Sequence, residues 1–121
     1  MFYIDPTAKT PIYEQIRSDI LGMISRGELT AGDKLPSIRT LSAEIGINVN
    51  TVKKVFALLE ADGVIETVTG SGSYIAATAH RNEQLLARAR EELRIAAMHA
   101  RNAGLSLDEA IRVLKEIYKN P

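Results

Sequence analysis

Residues 35–76 constrain the fold more strongly than any other part of this chain, because signals for helices, a turn and a hairpin follow one another there. Apolar residues recur at three- and four-residue intervals over two short stretches, which predicts two helices. Gly46 separates the stretches and can end the first helix in a left-handed conformation. β-branched residues then dominate positions 64–68, and the glycines at 70 and 72 allow the chain to return along residues 73–76. The order of these elements predicts a winged helix-turn-helix.

Another helix is predicted upstream of this segment. Thr10 is expected as its N-cap and Pro11 as its first helical residue, and Gly27 ends it. The second and third helices are expected over residues 36–46 and 48–63. The apolar faces of the three helices are expected to form the core through Ile12, Ile16, Ile20, Met23, Ile24, Ile38, Leu41, Ile45, Val52, Val55, Phe56 and Leu59.

Two further helices are predicted after a short linker at residues 77–80. The first runs over residues 81–103 and stops at Gly104, and a capping box from Ser106 to Glu109 starts the second. Each carries an apolar stripe, and two such helices alone cannot easily bury both stripes. A second copy of the chain is the simplest partner.

These elements predict a mostly α (α+β) fold. Residues 1–77 are expected to form a winged helix-turn-helix DNA-binding domain, and residues 78–121 a two-helix tail for dimerisation or effector binding. The chain has no cysteine, which excludes disulfides and thiolate metal sites and is typical of a reducing compartment. No apolar run approaches the ~20 residues of a membrane span, and the N-terminus lacks a secretory signal. We therefore expect a cytoplasmic protein without a membrane segment.

The start of the third helix has the composition of a DNA-reading element. Asn50 can bond two edge atoms of adenine, which makes it the best candidate for direct base recognition, and Val49 can contact a thymine methyl. Thr51 and Lys53 are expected to contact phosphates, which set the register on DNA. Asn48 is a further candidate, although it can equally act only as the N-cap of the helix.

The second helix and the hairpin loop supply the remaining candidates. Ser37 and the free N–H groups beside it can bind a phosphate, or the serine can serve only as a cap. Arg39 can reach a guanine edge or a phosphate, and Ala43 four residues later offers it no acidic partner. Gly70 permits close approach to the minor groove, although it can serve the turn alone, and a turn role is preferred for Gly72.

The charge of the chain allows a second hypothesis. The net charge is zero, and residues 36–78 carry three basic and four acidic side chains, so affinity for DNA would depend on two protomers acting together. A winged helix that binds only a protein partner is the alternative. An enzyme is not expected, because neither His80 nor His99 has nearby the arrangement of nucleophile or carboxylate that acid–base or metal chemistry needs. No cofactor, metal site or catalytic residue is predicted.

The chain resembles the GntR family of bacterial transcription regulators over about residues 10–76. The resemblance rests on residues 11–16, residues 32–41, Asn50-Thr51-Val52, residues 62–65 and Gly70-Ser71-Gly72. The short two-helix tail is similar to that of the YtrA subfamily. The resemblance implies a homodimer that pairs through its C-terminal helices and typically represses an operon, often one that encodes an ABC transporter.

The resemblance also implies functional positions. Those that match DNA contacts are Arg39, Asn48, Asn50, Thr51, Lys53 and Gly70. Val49 stands where the family often has arginine, and Thr69 and Ser71 stand where it often has basic residues. These differences suggest an altered operator preference. A small-molecule effector is considered as well, with the interface between the tail and the DNA-binding domain as its default place, but no residue cluster implies its chemical class.

Overall fold

The computed structural model describes residues 2–79 and 82–119, and the chain divides into two compact units, residues 1–82 and 83–121. The first unit, called here the N-terminal unit, contains three helices and a two-stranded antiparallel sheet; the second, the tail, contains two helices. The elements in chain order are α1 (Ile12–Ser25), α2 (Ile38–Ile45), α3 (Val49–Ala61), β1 (Ile65–Val68), β2 (Gly72–Ile75), α4 (Glu83–Asn102) and α5 (Leu107–Lys119). The fold is the predicted, mostly helical winged helix. The domain boundary after residue 77 stays a prediction.

The start of α1 differs from the prediction by one residue. Pro11 occupies the N-cap position, with no side-chain hydrogen bond to the helix, and Ile12 is the first helical residue. Thr10 therefore does not cap α1. Its main-chain carbonyl instead accepts a hydrogen bond from the Gln15 amide nitrogen at 2.9 Å, and the same nitrogen donates to the Asp5 carbonyl at 2.9 Å. Gln15 thus holds the preceding residues against the helix.

The core of the N-terminal unit forms where α1 and α2 pack on α3, with the hairpin against the end of α3. Ile12, Ile38 and Ile45 were expected in this core but are only half-buried. The two isoleucines of α2 lie near opposite ends of an eight-residue helix, too short to bury its whole apolar face. The buried apolar side chains are Ile16, Ile20, Met23, Ile24, Leu35, Leu41, Val52, Val55, Phe56, Leu59, Val64, Ile65, Ile75, Ala76 and Ala79.

The wing, defined as residues 65–75, is held to the rest of the unit by a third extended segment. Residues 32–35 run beside β2: the Leu35 amide donates to the Ser73 carbonyl at 2.9 Å, and the Ile75 amide donates to the Asp33 carbonyl at 2.8 Å. Lys34 pairs with Tyr74 in an antiparallel bridge. No extended segment was predicted from the sequence at these residues. The bridge fixes the chain immediately before α2 to the base of the wing.

A buried ion pair ties α1 to the end of α3. Arg17 Nη2 lies 3.2 Å from Asp62 Oδ2, and the exposed fractions of the two side chains are 10% and 1%. Arg17 also lies 3.6 Å from the Glu14 carboxylate. Because both charges are removed from water, each stabilises the other, and the loss of Asp62 would leave the buried Arg17 guanidinium only its longer contact with Glu14. The pair therefore fixes α3 relative to α1.

The tail consists of two helices joined by a short turn, and its apolar side chains are exposed. Gly104, at φ 102°, makes the turn, and the Ser106 hydroxyl oxygen accepts a hydrogen bond from the Glu109 amide at 3.2 Å, which is one of the two hydrogen bonds of the predicted capping box. Neither α4 nor α5 contains a buried residue. Among the described residues, no helix combines the length and apolarity needed to cross a membrane.

We predict that Asp62→Ala lowers the free energy of unfolding by about 3 kcal/mol, because the buried Arg17 guanidinium would keep only its longer contact with the partly exposed Glu14. Urea unfolding of the full chain, followed by circular dichroism, measures this loss. Glu28→Ala is the matched control, since it breaks an exposed pair with Arg26 and should cost about 0.5 kcal/mol or less. Equal midpoints for the two variants would contradict a stabilising role of the buried pair.

Candidate nucleic-acid interface

The connection between α2 and α3 is a short turn with fixed geometry. Gly46 ends α2 at φ 67°, a left-handed conformation that favours glycine. The Ile47 amide then donates to the Ser42 carbonyl at 3.1 Å, while the Ser42 hydroxyl donates to the Ile47 carbonyl. Ser42 is itself buried. These bonds leave little freedom between the helices, so the direction in which α3 starts is set by α2.

The first turn of α3 presents polar groups to solvent while the next turn is anchored in the core. Asn48 is the N-cap, and its Oδ1 accepts a hydrogen bond from the Asn50 amide at 2.7 Å. The capping role is therefore filled by the oxygen alone, and the amide nitrogen of Asn48 is left as a donor for other groups. Asn50 is exposed, whereas Val52 is fully buried. The exposed turn is held outward by its buried neighbour.

Val49 is unusual in this turn because it is apolar and 44% exposed. Thr51 is half-buried, and its main-chain amide donates to the Asn48 carbonyl at 3.0 Å. The structure thus brings Asn48, Val49 and Asn50 to the surface together and sets Thr51 further back.

The two lysines of α3 have different surroundings. Lys54 Nζ lies 3.8 Å from the centre of the Tyr13 ring on α1, a cation–π distance that draws the charge toward α1. Lys53 is exposed, and its side chain makes no hydrogen bond, ion pair or ring contact with any residue in the described parts of the chain. Of the two, Lys53 is the cation available to a phosphate.

The hydroxyl of Ser37 is used within α2. Ser37 Oγ accepts from the Thr40 amide at 3.0 Å and donates to Thr40 Oγ1 at 2.8 Å. Because the Thr40 hydroxyl accepts this bond, its own hydrogen is left for another acceptor, and the exposed Thr40 is a candidate donor that the sequence analysis did not name. The spacing of serine and threonine three residues apart at a helix start was the available signal. Arg39 is exposed and has no hydrogen bond or ion pair with the described residues.

The tip of the wing is a tight turn. The Ser71 amide donates to the Val68 carbonyl at 2.9 Å, and Gly70 adopts φ 79°, which side chains rarely permit. No atom lies within 4 Å of a Cβ built on Gly70, so its surroundings are open. At Gly72 a Cβ would lie 2.8 Å from Lys34 Cε, so this glycine serves both the turn and the packing of that lysine.

Lys34 is a candidate that the sequence did not reveal. Its stem crosses Gly72, and its Nζ lies 6.0 Å from the centre of the Tyr74 ring. Because residues 32–35 run beside β2, this lysine places a positive charge on the wing, where Thr69 and Ser71 bring none. Only the bridge to Tyr74 could have indicated this, and it is not visible in local sequence.

A groove of about 550 Å³ lies between the start of α2 and the wing. It brings Ser37 and Thr40 together with wing residues and Lys34. Its lining residues are Lys34, Leu35, Pro36, Ser37, Ile38, Thr40, Phe56, Ser71, Gly72 and Ser73. The exposed first turn of α3 and Arg39 do not line it. Over residues 2–79 and 82–119, no group of three His, Cys, Asp or Glu side chains is arranged to hold a metal ion.

Comparison with known proteins decides the family. The model of the bacterial regulatory proteins of the gntR family matches residues 12–75, from the start of α1 to the end of the wing. The chain belongs to the GntR family. It is therefore a DNA-binding transcriptional regulator, and this favours DNA over a winged helix that binds only a protein.

Individual relatives extend the similarity of this GntR protein into the tail. The transcriptional repressor YtrA of Bacillus subtilis (strain 168) is 40% identical over 119 residues, which cover 97% of this chain and 92% of YtrA. A transcriptional antiterminator from Listeria monocytogenes EGD-e is 34% identical with a TM-score of 0.85, covering 98% of this chain and 90% of that one. YtrA from Sulfolobus acidocaldarius, a GntR-family transcription factor, is 38% identical with a TM-score of 0.61 over 76% and 97% of the two chains. The predicted resemblance to the YtrA subfamily is confirmed.

We predict that Asn48→Ala destabilises this GntR protein by about 1 kcal/mol, because it removes the cap of α3. Asn48→Ser should restore stability, since its oxygen can cap, but not affinity for DNA, since it lacks the amide N–H. Thermal unfolding and an anisotropy titration of bound DNA measure the two effects. If the serine variant regains full affinity, Asn48 is only a cap.

Proposed function

We propose that this chain is a homodimeric repressor that binds an inverted-repeat operator. The observation that carries the proposal is the first turn of α3, in which Asn48, Val49 and Asn50 are exposed while Val52 is buried directly behind them. A helix held in this way can enter the major groove without losing its own packing.

The contacts proposed for DNA fall into two classes. Asn50 and Val49 are assigned to base edges, Asn50 to adenine and Val49 to a thymine methyl. The phosphate contacts are assigned to Ser37, Arg39, Asn48, Thr51, Lys53 and the main chain at Gly70, with Lys34 and Thr40 added from their positions beside the wing. Because the Ser37 hydroxyl is bonded to Thr40, Ser37 would contribute its main-chain amide.

The dimer is proposed from the tail. Its exposed side chains include Leu93, Met98, Ile111, Leu114 and Ile117, and apolar stripes of this size in a soluble helical pair favour a partner. A second copy related by a two-fold axis is the simplest one. Two α3 helices so related would lie about 34 Å apart, one turn of DNA.

The direction of regulation is proposed from similarity. YtrA of Bacillus subtilis carries the name of a repressor, and this chain matches it almost from end to end. By the same subfamily resemblance, an operon that encodes an ABC transporter is the proposed target. A small-molecule effector belongs to the proposal, with its chemical class left open.

The operator is tested with DNA selected from a random pool by the purified full chain. We predict an inverted repeat, and an affinity that falls steeply with salt. Three cationic side chains per protomer, Lys34, Arg39 and Lys53, suggest about six phosphate contacts per dimer and a log–log slope of about −5. An anisotropy titration from low to high salt gives the slope. Enrichment of no common sequence, or an affinity insensitive to salt, would count against the proposal.

Asn50→Ala separates base recognition from phosphate binding. We predict a loss of about 1–3 kcal/mol on the selected operator, confined to one base position per half-site, because the amide no longer bonds adenine. Titrations of single-base operator variants measure it. An equal loss on random DNA would exclude a base contact.

Lys34→Ala is the matched control for Asn50→Ala. It should weaken binding to all DNA sequences alike, because a phosphate contact carries no sequence information. The salt slope should become shallower by about one for each phosphate that the protein no longer neutralises. A base-specific effect of Lys34→Ala would mean that the wing lysine reads sequence.

A further inference from the structure

Asn82 stands at the point where the chain leaves the N-terminal unit. It is the last residue of that unit and directly precedes Glu83, the first residue of α4. Its side-chain Nδ2 donates a hydrogen bond to the main-chain carbonyl of Asp62, twenty residues earlier. Asp62 is the C-cap of α3. The end of the DNA-reading helix is therefore tied to the residue from which the tail departs.

The contact between Asn82 and Asp62 requires that residue 63 has no side chain. This residue adopts φ 72°, and a Cβ built on it would lie 2.7 Å from Asn82 Nδ2, closer than real Cβ atoms approach. Glycine is thus needed at position 63 both for its backbone conformation and to admit the asparagine amide. The last carbonyls of a helix lack partners within the helix, so the Asp62 carbonyl is a good acceptor for this amide.

Asp62 is itself a rigid anchor. Its side chain forms the buried pair with Arg17, and Val55 and Leu59 on the preceding turns of α3 are fully buried. A helix of thirteen residues transmits position over about 20 Å without bending freely. The exposed first turn of α3 and the Asp62 carbonyl that holds Asn82 therefore lie at opposite ends of one helix.

We infer that Asn82 is a positioning residue. It determines which separation between the two operator half-sites the dimer accepts. The inference rests on the proposed homodimer. When the tails pair about a two-fold axis, the distance between two α3 helices depends on how firmly each N-terminal unit is attached where the tail begins. The Asn82–Asp62 bond removes freedom at that attachment and restricts binding to one half-site spacing.

Asn82→Asp in the full chain tests the inference. Aspartate has the same size and keeps a side-chain oxygen, which is favoured directly before a helix, but a carboxylate cannot donate to the Asp62 carbonyl. Asn82→Ser is the second variant, because it keeps an oxygen without charge and is too short to reach. Asn102→Asp, at the other end of α4, is the control. Each protein is titrated with operators whose half-sites are moved apart one base pair at a time, and with a single half-site.

The wild-type protein and Asn102→Asp should bind one spacing at least tenfold more tightly than its neighbours. Asn82→Asp and Asn82→Ser should lose most of this preference, with unchanged affinity for the single half-site. A retained preference in both variants overturns the inference, as does an equal loss on the half-site, which would indicate damage to α3. If the wild-type protein is monomeric in sedimentation and has no preferred spacing, the homodimer proposal fails first.

Discussion

The N-terminal unit depends on the anchoring of a single helix, α3, along one side and at its end. Val52, Val55 and Leu59 are fully buried against α1, α2 and the hairpin, and the Arg17–Asp62 pair holds the last turn. Hydrophobic burial supplies most of the free energy but has no direction, whereas the ion pair fixes a specific position. Because both act on the same helix, its polar start can be exposed without becoming mobile. Recognition of nucleobases needs this combination, since base edges discriminate only through well-placed donors and methyl groups.

Much of this arrangement could be predicted from local sequence. Gly46, Asn48 and the apolar spacing around Val52 indicate the second and third helices because each signal acts within a few residues. The hairpin was predicted correctly from the β-branched residues at positions 64–68 and the glycines at positions 70 and 72. The start of α1 was misplaced by one residue, because Thr10 and Pro11 are both acceptable at a helix start and only the hydrogen bonds of Gln15 distinguish them.

Contacts between distant parts of the chain could not be predicted in the same way. Arg17 and Asp62 are separated by 45 residues, and nothing near either indicates a buried partner. No role was predicted for Lys34, yet the bridge to Tyr74 places it on the wing. The Ser37 hydroxyl caps α2, as one of the two predictions for it had it, and its hydrogen is donated to the Thr40 hydroxyl rather than left for a phosphate. In the first two cases the contacting residue lies in another element of the fold. In the third, the direction of a hydroxyl depends on packing that local sequence does not reveal.

The exposed apolar surface of the tail has a consequence for how much protein a cell must contain. A chain whose helices gain stability by covering one another in pairs is more stable at higher protein concentration, because association shifts the equilibrium by mass action. Under the proposed dimer, occupancy of the operator would rise more steeply than in proportion to copy number. The balance between synthesis of the protein and its dilution by growth would then set the protein concentration above which the operator is occupied. This threshold would exist even without a small-molecule effector.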